Sequence, residues 1–134
     1  KVIMKISIPV SAGELLDKIS ILEIKKEKIQ ENDKKKNVST ELNLLRTVQV
    51  ESELVETICP KILEHLCKQL QKVNEELWDV EDKLRLLEAE NNFSLTFVNF
   101  ARSVYRLNDE RAQIKRKINE LSGSELVEEK SYKG

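Results

Sequence analysis

Glycine, proline and aromatic residues are scarce in this chain of 134 residues, which holds three glycines, two prolines and only 4% aromatics. Sheet proteins need turn formers at short intervals and strands rich in aromatic or β-branched residues, so this composition argues against a sheet-rich fold. Long apolar runs are missing too. None approaches the roughly 20 residues needed to cross a bilayer, and nothing resembles a secretory leader. Positive charge is not in excess: 23 Lys and Arg stand against 24 acids, a formal net charge of -1. No global basic field therefore exists to draw nucleic acid or an anionic membrane surface. The two cysteines, Cys59 and Cys67, would lie about 12 Å apart along a helix, too far for a disulfide. They read as ordinary thiols of a reducing compartment. The expectation is one soluble, cytoplasmic domain with neither nucleic acid nor membrane as partner.

What is abundant is charge, at 35% of residues, set beside a regular apolar rhythm. Leu63, Leu66, Leu70, Val73, Leu77, Val80, Leu84 and Leu87 alternate spacings of three and four. Beyond Asn91-Asn92-Phe93, the same rhythm runs through Phe97, Phe100, Val104, Leu107, Arg111, Ile114, Ile118 and Leu121. Such spacing puts each set along one narrow stripe of a helix, the seam of a coiled coil. The stripes mirror one another about the turn. Folded back, Leu87 meets Phe97, Val80 meets Val104 and Leu63 meets Leu121, with Arg111 against Val73 the single charged intruder. The predicted fold is mainly α: a helical bundle built on a long antiparallel coiled-coil-like hairpin, with a short N-terminal β-strand.

In chain order, residues 2–10 read as that strand, its partner being the segment around Leu126 and Val127 or a second subunit. Ser11 and Glu14 have capping-box spacing, with Val10 placed to staple onto Leu15, and open a helix over 12–30. The lysine-bearing run from Asn32 to Asn37 reads as a solvated connector. A weaker helix follows over 40–58, and Pro60 opens the third over 60–90. Ser94 is placed to cap the fourth, over 95–121, with Phe93 stapling toward Val98. Gly123 ends it, and 122–134 forms a tail.

Beside the seam runs a second stripe, and chemistry is best sought there. Asn74, Trp78, Glu81, Arg85 and Glu88 recur on one helix; Ala101, Tyr105, Asn108, Ala112 and Lys115 recur on the other. In an antiparallel pair both flank the same side of the seam. Two readings stay open. In one, the first helix covers this stripe, Trp78 and Tyr105 become core, and Glu81, Arg85 and Arg111 form packing ion pairs. In the other a gap remains, and Arg85, Arg111 and Lys115 bind an anionic ligand beside an aromatic wall. Enzyme signatures are weak. His65 lies off the Cys67 face, and no Gly-rich phosphate loop or G-x-S-x-G occurs. The pairs Glu14/Asp17 and Glu76/Asp79 have the E-x-x-D spacing of helical magnesium-dependent nucleotide pyrophosphohydrolases. In so acidic a chain that spacing arises readily by chance.

Several segments together carry a resemblance. These are Ile8 to Lys25 (IPVSAGELLDKISILEIK), Leu77 to Arg85 (LWDVEDKLR), Phe100 to Asp109 (FARSVYRLND) and Glu128 to Tyr132 (EEKSY). The set resembles a small bacterial and phage family known only as a domain of unknown function. The likeness spans nearly the whole chain except the stretch from Asn32 to Ile58. It implies that Glu14, Asp17, Lys18, Trp78, Glu81, Arg85, Tyr105, Asn108, Asp109 and Lys130 belong to the family's pattern, and it implies no activity.

The expected function is a non-catalytic interaction or assembly domain, a homodimer or the docking site of another protein, without cofactor, metal or catalytic residues. The alternative is binding or hydrolysis of a phosphorylated metabolite, a nucleotide or sugar nucleotide. Its candidate ligand-binding set is Trp78, Glu81, Arg85, Tyr105, Asn108, Arg111, Lys115, Asp17 and Lys18.

Overall fold

The computed structural model describes residues 4–124, 126 and 128–132. Five helices follow in order: α1 (Ala12–Lys28), α2 (Asn32–Glu51), α3 (Leu54–Thr57), α4 (Pro60–Ala89) and α5 (Leu95–Ser122). The fold is a helical bundle on the α4–α5 hairpin, whose two members make the molecule's most extensive helix contact. Pro60 occupies the first turn of α4, where its missing N–H costs nothing. Gly123 closes α5 with a left-handed φ of 66°. At the tip, Asn91 also adopts positive φ, a conformation asparagine tolerates better than most residues.

α1 does not run along the hairpin; it crosses it. Its first turn lies on α5, where the Gly13 N–H donates to Asn119 Oδ1 at 2.7 Å. Its middle reaches both helices through Asp17, and its next turn lies on α4 through Ser20, bonded to Gln71 at 3.0 Å. Gly13 makes the crossing close. A Cβ there would stand 2.5 Å from the Lys115 carbonyl oxygen, so any larger residue must push α1 away from α5. α2 packs on the outside of α1, and α3 touches α2 and α5.

The core is consequently lopsided. Leu15, Leu16, Ile19 and Leu22 of α1 meet Val38, Leu42, Leu54, Ile58, Leu63, Leu66, Leu70 and Ile118 in one buried cluster. On α4 that cluster stops at Leu70. Farther out, Leu77, Val80, Leu84 and Leu87, with Phe97, Phe100, Val104 and Leu107, are only half-buried. The stretch of α4 from Leu77 to Ala89, about 18 Å long, thus forms with its α5 counterpart a two-helix arm. Leu86 is 60% exposed and Leu95 is 73% exposed on it.

Five expectations are corrected. Met4 to Val10 forms no strand, and among the described residues no strand occurs. Residues 2, 3 and Val127 lie outside the described residues, and Leu126 is irregular. Alternating apolar residues assign faces to a strand but cannot supply the neighbouring strand it needs; here Met4, Ile6 and Ile8 stand exposed. The Asn32–Asn37 connector is helical, and α2 begins there rather than at residue 40. Lysine is a good helix former, neither Gly nor Pro interrupts the run, and Asp33 suits the positive end of the helix dipole. The same helix stops at Glu51, short of residue 58, because Glu53 turns left-handed (φ 58°) before α3. Finally, Ser94 makes no side-chain cap; Asn92 Oδ1 accepts its N–H instead, at 3.1 Å. Phe93 packs edge-on against Phe97, centroids 5.3 Å apart, in place of the staple onto Val98.

The two zones of the hairpin should differ in energetic weight. Leu70→Ala, at a fully buried site, is expected to cost about 3–5 kcal/mol. Leu84→Ala, at a half-buried arm position, should cost under about 2 kcal/mol. Denaturant unfolding of both variants checks this, and equal losses would contradict a core confined to the hairpin's base.

Candidate functional site

Asp17 occupies the crossing point of α1 over the hairpin and is 0% exposed. Leaving a carboxylate there without partners would be very costly, and three side chains meet it. Arg111 grips it with two nitrogens; the Nε–Oδ1 bond is 2.9 Å and Nη2 donates to Oδ2. Asn74 Nδ2 donates to the same Oδ1 at 3.0 Å, and Lys115 Nζ lies 3.9 Å from Oδ2. Asn74 also donates to Ser20 Oγ at 3.1 Å, and Ser20 donates in turn to Gln71. Among the described residues no buried side-chain polar atom lacks a hydrogen-bond partner. The network closes on protein groups alone.

Lys115 extends it to the surface, donating to Glu14 at 2.7 Å and to Glu128 of the tail at 2.8 Å. Burial by itself would lower the Lys115 pKa, but the bonds to Glu128 and Glu14 outweigh it and hold the pKa above the ordinary lysine value. Conversely, the Lys115 bond holds the Glu128 carboxyl below the ordinary glutamate value of 4.5. The hydrogen bond to Asp17 raises Arg111 despite partial burial. Arg116 and Glu129, 3.4 Å apart, add a second tie between α5 and the tail.

The predicted site residues divide into three groups. Asp17, Arg111, Lys115 and Asn108 come together, with Asn108 accepting from Arg111 at 3.4 Å. Asn108, Arg111 and Lys115 border a small cavity of about 230 Å³ that also includes Glu14, Glu128 and Lys130, with Asp17 buried behind them. Trp78, Glu81 and Arg85 lie on the other side of Arg111, in a groove of about 460 Å³ walled by Ile21 and Ile24 of α1. Tyr105 and Lys18 join neither. Tyr105 is exposed beside Arg106, which lowers its pKa through a side-chain hydrogen bond. Lys18 is exposed and lies 3.6 Å from Glu14. α1 therefore covers the base of the polar stripe and leaves its outer half open. The E-x-x-D pair on α1 is spoken for by cations, Glu14 by Lys115 and Asp17 by Arg111.

Sequence reasoning left Ser20, Gln71, Asn119 and Glu128 out of the candidate set. Asn119 continues the Lys115 stripe one turn further, a signal that was legible. Gly13 was legible as well, since glycine inside a helix's first turn commonly marks close backbone approach. Ser20, Gln71 and Glu128 depend on how α1 and the tail lie over the hairpin, which no local pattern carries.

Fold and site together define a helical bundle whose buried ionic cluster joins a crossing helix to a hairpin. The chain belongs to DUF6165, a family of unknown function, whose model matches residues 4–134. No curated protein and no solved structure matches it.

Two measurements test this account of the cluster. Arg111→Ala strands the Asp17 charge and should destabilise the fold by about 3–5 kcal/mol, whereas Asp17→Asn combined with Arg111→Met should cost less than that single change. The tail is expected to be acid-sensitive. A carboxyl whose folded pKa is depressed adds stability above its unfolded value and loses it as pH falls through the folded one. Stability should therefore drop as pH descends below 4.5, and Glu128→Gln should flatten that part of the profile in thermal melts.

Proposed function

We propose that the chain is a non-catalytic assembly domain that associates with a second copy through the α4–α5 arm. One observation carries this reading: the hairpin outruns every helix that could cover it, so its seam lies half-open from Leu77 to Leu107. Two helices of this length form a marginal structure in water without further packing. Helical hairpins commonly complete their burial by pairing into four-helix bundles. A homodimer supplies that burial with no other component.

The alternative ligand, a nucleotide or sugar nucleotide, has the groove at Trp78 in its favour, with an aromatic wall and an Arg85 side chain that is 81% exposed. Its charges argue the other way. Glu81 and Asp82 share the lining with Arg85, and Arg111 already neutralises Asp17. A phosphate there would meet two carboxylates and a guanidinium, Arg85, that already lies 3.9 Å from Glu81.

Light scattering at micromolar concentration should give twice the chain mass of 15.6 kDa; a monomer would end the homodimer reading. Thermal melts with a panel of nucleotides and sugar nucleotides address the alternative. A ligand at a hundred times its dissociation constant stabilises the native state by about 2.7 kcal/mol. No shift is expected, and a shift abolished by Arg85→Ala would replace the assembly reading with a binding one.

A further inference from the structure

The arm's two helices differ in charge. From Glu76 to Ala89, α4 carries Glu76, Asp79, Glu81, Asp82 and Glu88 against Lys83 and Arg85. From Leu95 to Asn108, α5 carries Arg102 and Arg106 and no acid. One helix is acidic and its neighbour basic, so a surface displaying both is complementary to itself when turned about a two-fold axis. If the arms of two copies lie face to face with the axis along their length, α4 of each opposes α5 of the other. Perpendicular to the arms, the same operation would set α4 against α4 and repel.

Only one of the hairpin's two broad faces suits this arrangement. α1 crosses the base of the face that bears Trp78 and Arg111, so two such faces brought together would collide there. On the opposite face, the groove of about 540 Å³ is lined only by α4 and α5 residues: Glu76, Asp79 and Val80 on one wall, Asn99, Phe100, Ser103, Arg106 and Leu107 on the other. Val80, Phe100 and Leu107 give it an apolar floor. Ile62, exposed and about five helical turns below Val80 on the same line of α4, extends that edge inward. The whole face is about 45 Å long and about two helix diameters wide. It thus offers on the order of 900 Å² per copy, what a stable dimer of ordinary size buries.

We infer that this back face is the self-association surface, with the two arms pointing the same way and Arg106 of each copy seated between Glu76 and Asp79 of the other. The register follows from symmetry. Arg106 shares its groove, and hence its height along the arm, with Glu76 and Asp79. An axis along the arms preserves height, so the partner's Arg106 arrives opposite those same acids. This inference rests on the assembly reading and adds its face, orientation and pairing.

Charge reversal on the full-length chain tests it by sedimentation, with circular dichroism and melting temperature verifying that each variant folds. All three positions are exposed, so folding should be unaffected. Arg106→Glu places like charges together twice and should weaken the dimer by at least about a hundredfold. The double variant Glu76→Lys, Asp79→Lys should do the same. Mixing the two variants should restore a dimer of mixed composition, in which every facing pair is again opposite in sign. If Arg106→Glu dimerises like the unaltered chain, or the mixture stays monomeric, the back-face pairing is wrong while the assembly reading stands. A monomeric unaltered chain removes both.

Discussion

The Asp17–Arg111 pair fixes where α1 can lie, and most of the molecule follows from that. An apolar helix stripe can slide or rotate on a hairpin at modest cost, because dispersion and burial have little direction. A buried carboxylate gripped through two nitrogens by a guanidinium has a direction and a distance. Asn74 supplies a further donor from α4, so Asp17 is held by both legs of the hairpin at once. α1 is thereby pinned at their junction and crosses from α5 to α4. The close approach at Gly13 and the bond to Asn119 secure its first turn. α2 and α3 then pack around a helix whose position is already decided.

That pinning explains why the core gathers at the base. Because α1 crosses instead of running along the hairpin, its apolar residues cover only a few turns of α4 and α5. The arm's half-open seam is thus a geometric consequence of the crossing. Local stability should follow the same gradient, with the base opening only in global unfolding and the arm opening more readily.

How much of this the sequence displayed depends on whether the controlling interaction is local. Leu63 to Leu87 and Phe97 to Leu121 show the hairpin openly, since helix periodicity is written in consecutive residues. Arg111 stood out as the single charge in an apolar seam, and its need for a partner was evident from desolvation alone. Which acid would meet it was not. Asp17, Glu14 and several glutamates had the right charge, and only the crossing angle of α1 selects among them. The same limit hid Ser20, Gln71 and Glu128. The strand over 2–10 failed differently: its alternation is real at Met4, Ile6, Ile8 and Val10, but pairing is a property of two segments. At Asn32–Asn37, polarity was mistaken for a break, although a run without Gly or Pro gives a helix no reason to stop.

A charge at Arg111 has a cost that a leucine would avoid, and the layer it occupies shows what is obtained in return. Had residue 111 been apolar, the seam would run uninterrupted from Leu63 to Leu121, and several placements of α1 would bury similar areas. Replacing buried ion pairs by hydrophobic residues is often neutral or stabilising, so stability alone does not account for this one. Its effect is to separate two jobs along one hairpin. Below Arg111 the seam is enclosed by the chain's own helices; above it, the seam and both faces stay accessible, and one of those faces carries complementary charge. A lock at the boundary keeps α1 from drifting outward along the face that bears Trp78. On this view the intruding arginine sets the limit of the monomer's own core, and the hairpin beyond it is the part to which the proposed assembly assigns a second copy.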